Sequence, residues 1–305
     1  MQPPLNVDLG SHVVASVPYH TCHRYVRRAV EGLLSQTHRN LTVVVVNDGD
    51  HRTPPWPELA HIRDPRLVRF DLPVNRGPYY AHALVCQSMA APYLAIQDAD
   101  DWSEATRLQT MLCQLKADRS DFATTAQIEV DESGVCKQFR WAKPPLRENP
   151  SYMLCANPGP EYVNRCPHHG LFRSGWIRLI GGYYGGFKIN YDVFLMNVMT
   201  MTGRISHTNL PLYRYTLTQD SLSRGESLGY RSEERRRVKG ILSDMHRRVY
   251  AEYGKLLERR ISASSFFAAI RGIGQRHVTD EARRSLSQDA DRLSAQLPLQ
   301  IRASS

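Results

Sequence analysis

The chain has 305 residues, 42% hydrophobic and 23% charged, which excludes wholesale disorder and collagen-like or coiled-coil architectures and suits one large α/β domain with an accessory part. With 39 basic against 30 acidic residues, the net charge of +9 admits a nucleotide, a nucleic acid or an anionic membrane face as partner without choosing among them. The apolar runs are far shorter than the roughly 20 residues that cross a bilayer, and Met1 to His12 has no basic, apolar export pattern. A cytoplasmic protein is therefore expected, with peripheral contact at the inner face of the membrane left open.

In chain order, His12 to Val17 reads as a strand and Tyr25 to Gln36 as an amphipathic helix through Val26, Val30, Leu33 and Leu34. Leu41 to Val46 is an unbroken Val-rich strand, as expected in a parallel sheet covered on both faces. Leu67 to Leu72 is a strand, Ala81 to Met89 a helix, and Tyr93 to Gln97 a buried strand. A third helix carries Leu108, Met111, Leu112 and Leu115 and is predicted to start at Ser103 as its N-cap. Phe122 to Val130 is a strand closed by a turn at Asp131 to Gly134. This alternation implies a mostly parallel sheet with helices on both sides, whose ligands bind beyond the carboxyl ends of the strands.

Pro144 to Pro167 reads as loop, and Leu171 to Ile180 regains regularity before the glycine run at 181–186, which is expected to flex over substrate. Val193 to Met201 is a helix and Leu210 to Tyr215 a strand. From Arg224 onward there are 17 Lys or Arg against 10 Asp or Glu, so +7 of the net charge lies in a tail with helical patterning. Packing against the preceding part or a second subunit is its plainest role. Lipid contact through Arg235 to Arg237 and Phe266–Phe267 is a further reading. Nucleic acid is not expected, because there is no recognised module or aromatic ladder. Cys155, Cys166, His168 and His169 lack the paired spacing of a zinc site.

Chemistry is best marked at Asp98, Asp100 and Asp101, three carboxylates directly after a buried strand. Such a cluster repels itself unless a cation or donors hold it, and hard oxygen ligands suit Mg²⁺ or Mn²⁺. An acidic turn before a helix explains the same residues without function. Asn47-Asp48-Gly49-Asp50 follows another strand, and Asn75-Arg76-Gly77-Pro78 is a turn that opens a helix, with Arg76 a candidate anion contact. Dinucleotide, P-loop and α/β-hydrolase signatures are absent.

The succession of the segments 13–50, 75–102 and 170–192, in that order and spacing, resembles the family 2 glycosyltransferases of the GT-A fold over roughly Val13 to Ser223. The resemblance implies residues 1–223 as catalytic domain and 224–305 as a basic helical extension. It implies an inverting, metal-dependent transfer from a nucleotide-sugar, a UDP-sugar favoured and GDP- or dTDP-sugars admitted. The acceptor would be a glycan, a lipid-linked glycan or a small natural product. Pro18 and Tyr19 then match the nucleotide loop, Asp48 the base-reading carboxylate, and Asp98 and Asp100 the D-x-D pair that holds Mg²⁺ or Mn²⁺. Asp192 matches the general base, whose alternative reading is an N-cap, and Arg214 with Ser221 to Ser223 matches a segment reaching the diphosphate. His169, or His207, is a candidate further metal ligand, and His168 and Tyr191 are candidate acceptor contacts. The chain departs from the family pattern at Asn47, at Ala81-His82-Ala83 where an A-R-N triplet is usual, and at Tyr191 in place of a glutamate. The competing expectations are a sugar-phosphate nucleotidylyltransferase and a non-catalytic scaffold on the same fold. A homo-oligomer formed through the extension is compatible with all of these.

Overall fold

Every residue of the Val-rich segment is buried, which requires strand neighbours on both edges and cover on both faces. The computed structural model, which describes residues 10–141, 151–152, 158–218 and 228–303, supplies both. Strand β1 (Val13–Tyr19) and helix α1 (His23–Leu34) lead into β2 (Leu41–Asp48), β3 (Leu67–Leu72), helix α2 (Pro78–Ser88) and β4 (Tyr93–Ile96). Then come the short β5 (Trp102–Ser103), α3 (Arg107–Ala117), β6 (Phe122–Val130), β7 (Cys136–Arg140) and β8 (Ser151–Tyr152). They are followed by β9 (Gly170–Arg173), α4 (Ser174–Leu179), α5 (Tyr191–Thr202) and β10 (Ile205–Thr216), and by helices α6 (Glu233–Leu257), α7 (Ala263–Gly274) and α8 (Asp280–Ser294).

The sheet runs β3-β2-β1-β4-β9-β6-β10-β5, with β7 on β6 and β8 on β10. β1 pairs in parallel with both β2 and β4, β2 with β3, and β6 with β10, while β9 is antiparallel to its neighbours. The mostly parallel α/β architecture is as expected from the sequence. Strand periodicity sorts the side chains into two cores. Val13, Ala15, Val17, Val43 and Val45 face α1 and α3. Val14, Val44 and Val46 face α2 and α5, and the helices after residue 228 share that second core.

The basic tail packs on the sheet-bearing part. Val238, Leu242, Met245 and Val249 form one buried stripe of α6. Ser232, Ser262 and Thr279 cap the three tail helices, each accepting a bond from the backbone N–H three residues on. Phe266 is fully buried and Phe267 packs against the same core, so this pair is not a lipid-facing surface. Among the described residues no helix is long and apolar enough to cross a membrane.

Three local expectations change. Ser103 is not a helix cap: it lies in β5, paired with β10, and its hydroxyl donates to Gln97 Oε1 at 2.6 Å, while α3 starts four residues later. Asp192 is not the N-cap of α5 either, because Asn190 holds that position in the left-handed conformation (φ 61°), which leaves the Asp192 carboxylate for other partners. The glycine run does not cover the cleft described below. Gln275 donates to the carbonyls of Gly181 and Tyr184, and a Cβ on Gly186 (φ +87°) would stand 2.3 Å from the His277 carbonyl oxygen. The loop is thus a seat for the connection between α7 and α8.

Candidate active site

The carboxyl ends of β1, β2 and β4 open on a cleft of about 980 Å³, roofed on its far side by β10, the start of α5 and the start of α6. Pro18, Tyr19, Asp48, Asp98, Asp100, His168, His169 and Asp192 all line it. Eight of the residues singled out in the sequence therefore meet in one cavity although they come from distant segments.

At one end, Asp48 accepts the backbone N–H of Arg76 at 2.6 Å and of Gly77 at 2.7 Å. The bonds follow from a carboxylate at the end of β2 meeting the unpaired N–H groups at the start of α2. Burial pushes its carboxyl up, against the pull of those two N–H groups. Each carboxylate oxygen keeps a second lone pair for a ligand donor. Tyr19 borders the cleft, but its buried hydroxyl donates to the Thr53 carbonyl.

In the centre, the loop after β4 presents Asp98 and Asp100. Beneath it lies Arg107, fully buried, which donates to Ser103 Oγ at 3.0 Å, Gln97 Oε1 at 3.3 Å and the Ile96 carbonyl at 3.4 Å. Its guanidinium also lies 4.5 Å from the Tyr213 ring. Burial lowers this arginine to about 10, so it remains a cation under the acidic loop. Burial and the Asp98 charge raise Asp100 to about 7, and burial with the Asp100 and Asp98 charges pushes Asp101 well above the carboxylate range. Ligand oxygens of Asp98, Asp100 and Asp101 lie within 4.8 Å of one another. Hard oxygens crowded enough to retain protons fit a divalent cation, which would take the protons' place.

His169 connects this loop to the other wall. Its Nε2 is 2.9 Å from Asp98 Oδ2 and its Nδ1 is 3.3 Å from the Gln127 amide nitrogen, so Gln127 donates to Nδ1 and Nε2–H donates to Asp98. Burial holds His169 down at about 4, hence neutral at pH 7. Burial opposes the charge on Asp98, but His169, His168 and His82 around it outweigh that and keep its carboxyl well below the usual range. The His168 ring stacks beside His169 at 3.9 Å, and its Nδ1 lies 3.3 Å from Asp192 Oδ2. The other Asp192 oxygen accepts the Tyr79 hydroxyl. His168 thus faces Asp192, and Asp98-His169-His168-Asp192 form a continuous line across the cleft.

Four expected residues sit elsewhere. The Arg76 guanidinium lies 5.9 Å from the Tyr80 ring and only its backbone serves the site. Arg214 is spent on Glu104, 2.6 Å away, across the β5–β10 pairing. Tyr191 is buried between Tyr79, Phe187 and Phe194, and its ring edge occupies the space that a Cβ on Gly185 would take. His207 is wholly buried within β10 and does not line the cleft. Ser221 to Ser223 lie outside the described residues, as does Cys155. Sequence reasoning missed Tyr79, Gln127 and Arg107. Only Tyr79 carried a signal, being the residue after the proline that opens α2 at the sheet edge. His82, noted only as a departure, lines the cleft with Nδ1 2.9 Å from Ser16 Oγ, and burial lowers it to about 3.

The sequence profile described as glycosyl transferase family 2 matches residues 15–179, more than half of the chain. The chain belongs to the family 2 glycosyltransferases. Its similarity to curated family 2 members is partial. The chondroitin synthase of Escherichia coli is 22% identical over 212 residues, 68% of this chain and 29% of that protein. The succinoglycan biosynthesis protein ExoO of Rhizobium meliloti is 33% identical over 135 residues, 44% of this chain and 36% of that protein. The glycosyltransferase GlyA of Streptococcus pneumoniae is 26% identical over 123 residues, 40% of this chain and 17% of that protein. The matched part thus spans well under half the length of these relatives. Among solved structures, S. aureus TarS 1–349 in complex with UDP-GlcNAc matches with a TM-score of 0.59 at 14% identity, covering 93% of this chain and 89% of that one. The UDP complex gives 0.55 at the same identity and coverage. At such identities the likeness is one of fold, and it extends through the helical C-terminal region.

Proposed function

We propose that this chain transfers a sugar from a UDP-sugar to an acceptor hydroxyl with inversion at the anomeric carbon, Asp192 serving as general base. The observation that carries the reading is that Asp192 and the Asp98–Asp100 loop face each other across one cleft. One carboxylate is thereby offered to an incoming hydroxyl and a crowded acidic pair to a departing diphosphate. Asp192 Oδ takes the acceptor proton as the acceptor oxygen bonds to the anomeric carbon, and the bond to the diphosphate breaks on the opposite face with its electron pair. Tyr79 and His168 hold the two Asp192 oxygens so that the carboxylate needs no reorganisation when the hydroxyl arrives.

A divalent cation, Mg²⁺ or Mn²⁺, held by Asp98 and Asp100 would offset the charge that grows on the leaving group. His169 orients Asp98 through Nε2–H, and it would serve as a further ligand only with its proton moved to Nδ1 and the Gln127 amide turned to accept it. Asp48, Pro18 and the backbone around Tyr19 form the nucleotide end. UDP is favoured by the presence of UDP and UDP-GlcNAc in the TarS complexes of the same fold.

Asp192→Asn keeps size and some hydrogen bonding while removing proton acceptance. Turnover is expected to fall by about 10²-fold or more with UDP affinity unchanged. A folded Asp192→Asn protein that retains most of its turnover would refute the assignment.

A further inference from the structure

The cleft has a second wall that the reaction above does not use. The start of α6 presents Arg235, Arg236 and Lys239 to the cavity. Arg235 is committed to structure: it donates to Asn190 Oδ1 at 2.9 Å and to the Leu228 carbonyl at 2.7 Å, and its guanidinium lies 5.0 Å from the Tyr230 ring. These bonds fix the helix against the residue that opens α5, two positions before Asp192. Arg236 and Lys239 are exposed and carry no ion pair among the described residues, and the nearby Glu234 is taken by Arg237 at 2.7 Å. The other cations on the cleft wall are engaged, Arg140 by Glu129 at 3.1 Å and Lys188 by Asn75 at 2.9 Å.

Arg236 and Lys239 therefore line the cleft on the helix that is bonded to Asn190, two positions before Asp192, with no carboxylate partner among the described residues. A neutral acceptor would gain only hydrogen bonds from them, whereas an acceptor with a fixed negative charge would also pair its charge with them while placing a hydroxyl at Asp192. We propose that Arg236 and Lys239 are acceptor-binding residues that select an anionic acceptor, one bearing a carboxylate or a phosphate close to the reacting hydroxyl. This rests on Asp192 being the base.

The test uses the full chain with UDP and Mn²⁺ and three probes: an unsulfated chondroitin hexasaccharide for carboxylate, a glycerol phosphate hexamer for phosphate, and maltohexaose as the neutral control. At least one anionic probe should bind about tenfold or more tighter than maltohexaose, and which one does so identifies the source of the charge. Arg236→Gln with Lys239→Gln should weaken that binding about tenfold or more. Arg248→Gln with Arg284→Gln, two exposed tail cations outside the cleft, should leave it unchanged. The proposal is overturned if neither anionic probe outbinds maltohexaose, if the cleft pair can be replaced without loss, or if the control pair loses as much. UDP–Mn²⁺ affinity measured on each preparation separates this from the catalytic reading. Loss of UDP binding by the unaltered chain sinks that reading, whereas intact UDP binding with no preference for anions sinks only this one.

Discussion

Asp100→Asn should make the cation-free protein more stable and at the same time deprive it of its response to metal. The structure raises the Asp100 carboxyl from 3.8 to about 7, through burial first and the Asp98 charge second. A shift of that size corresponds to about 4 kcal/mol, and solvent at the cleft mouth screens it to about 1–3 kcal/mol. The sign follows from linkage: below pH 4 the group is protonated in folded and unfolded chains alike and costs nothing, and the penalty grows as the pH rises from about 4 to 7 and is complete above 7. The neutral amide removes it. In EDTA at pH 8 the variant should melt about 2–6 °C above the unaltered protein, and the gap should shrink to roughly half or less at pH 5 and close only below about pH 4. With Mn²⁺ and UDP at about 100 times their dissociation constants, the unaltered protein should gain about 2.7 kcal/mol and the variant much less. Melting curves at both pH values, with and without EDTA, read all of this. An EDTA-treated variant that melts no higher at pH 8, or that gains as much from Mn²⁺ and UDP as the original, would refute the reasoning.

Tyr79→Phe deletes the hydroxyl that holds Asp192 and nothing else; turnover should drop by about 3- to 30-fold with UDP affinity and melting point nearly unchanged, whereas a role in packing alone would leave turnover intact. Gly186→Ala should destabilise by about 1–3 kcal/mol, seen as a lower denaturant midpoint, because the added Cβ meets the His277 carbonyl in a left-handed backbone. An unshifted midpoint would mean that the loop is not seated on the tail as described.

The alternating strand and helix pattern made the central sheet readable, since Val13 to Val17 and Leu41 to Val46 have residue types that only a doubly covered strand tolerates. Asp98, Asp100 and Asp192 were readable for a different reason, namely that they follow recognisable strand or loop ends in the order of a known family. Arg214 and Tyr191 misled, because the residue type says nothing of which side of β10 or α5 it faces: Glu104, in a distant segment, draws Arg214 away, and the space left by Gly185 takes the Tyr191 ring. The two-residue β5 has no periodicity to detect, so Ser103 passed for a cap. Arg107 lies beneath the site and Gln127 in its wall, where an isolated polar residue in a helix or strand pattern is indistinguishable from a surface one. The basic tail showed its helical stripe plainly. That its first helix brings cations to the cleft depends on tertiary contacts with Asn190 and is invisible in composition.

Both ends of α2 are tied to residues more than 200 positions later: Tyr80 in its first turn donates to Asp289 at 2.8 Å, and at its far end Ala90 N–H donates to the Ile301 carbonyl at 2.7 Å and Ala303 N–H to the Ser88 carbonyl at 3.1 Å. The same helix carries Tyr79 and His82 into the cleft. On the ribosome, therefore, strands β1 to β4 can pair early, but the helix that carries Tyr79 and His82 into the cleft cannot be locked in place until residue 303 has emerged. Closing so long a loop is slow, and a nascent chain halted before it would display an apolar helix face with no cover. The wall of the cleft is thus completed only once the segment around residues 289–303 has been made.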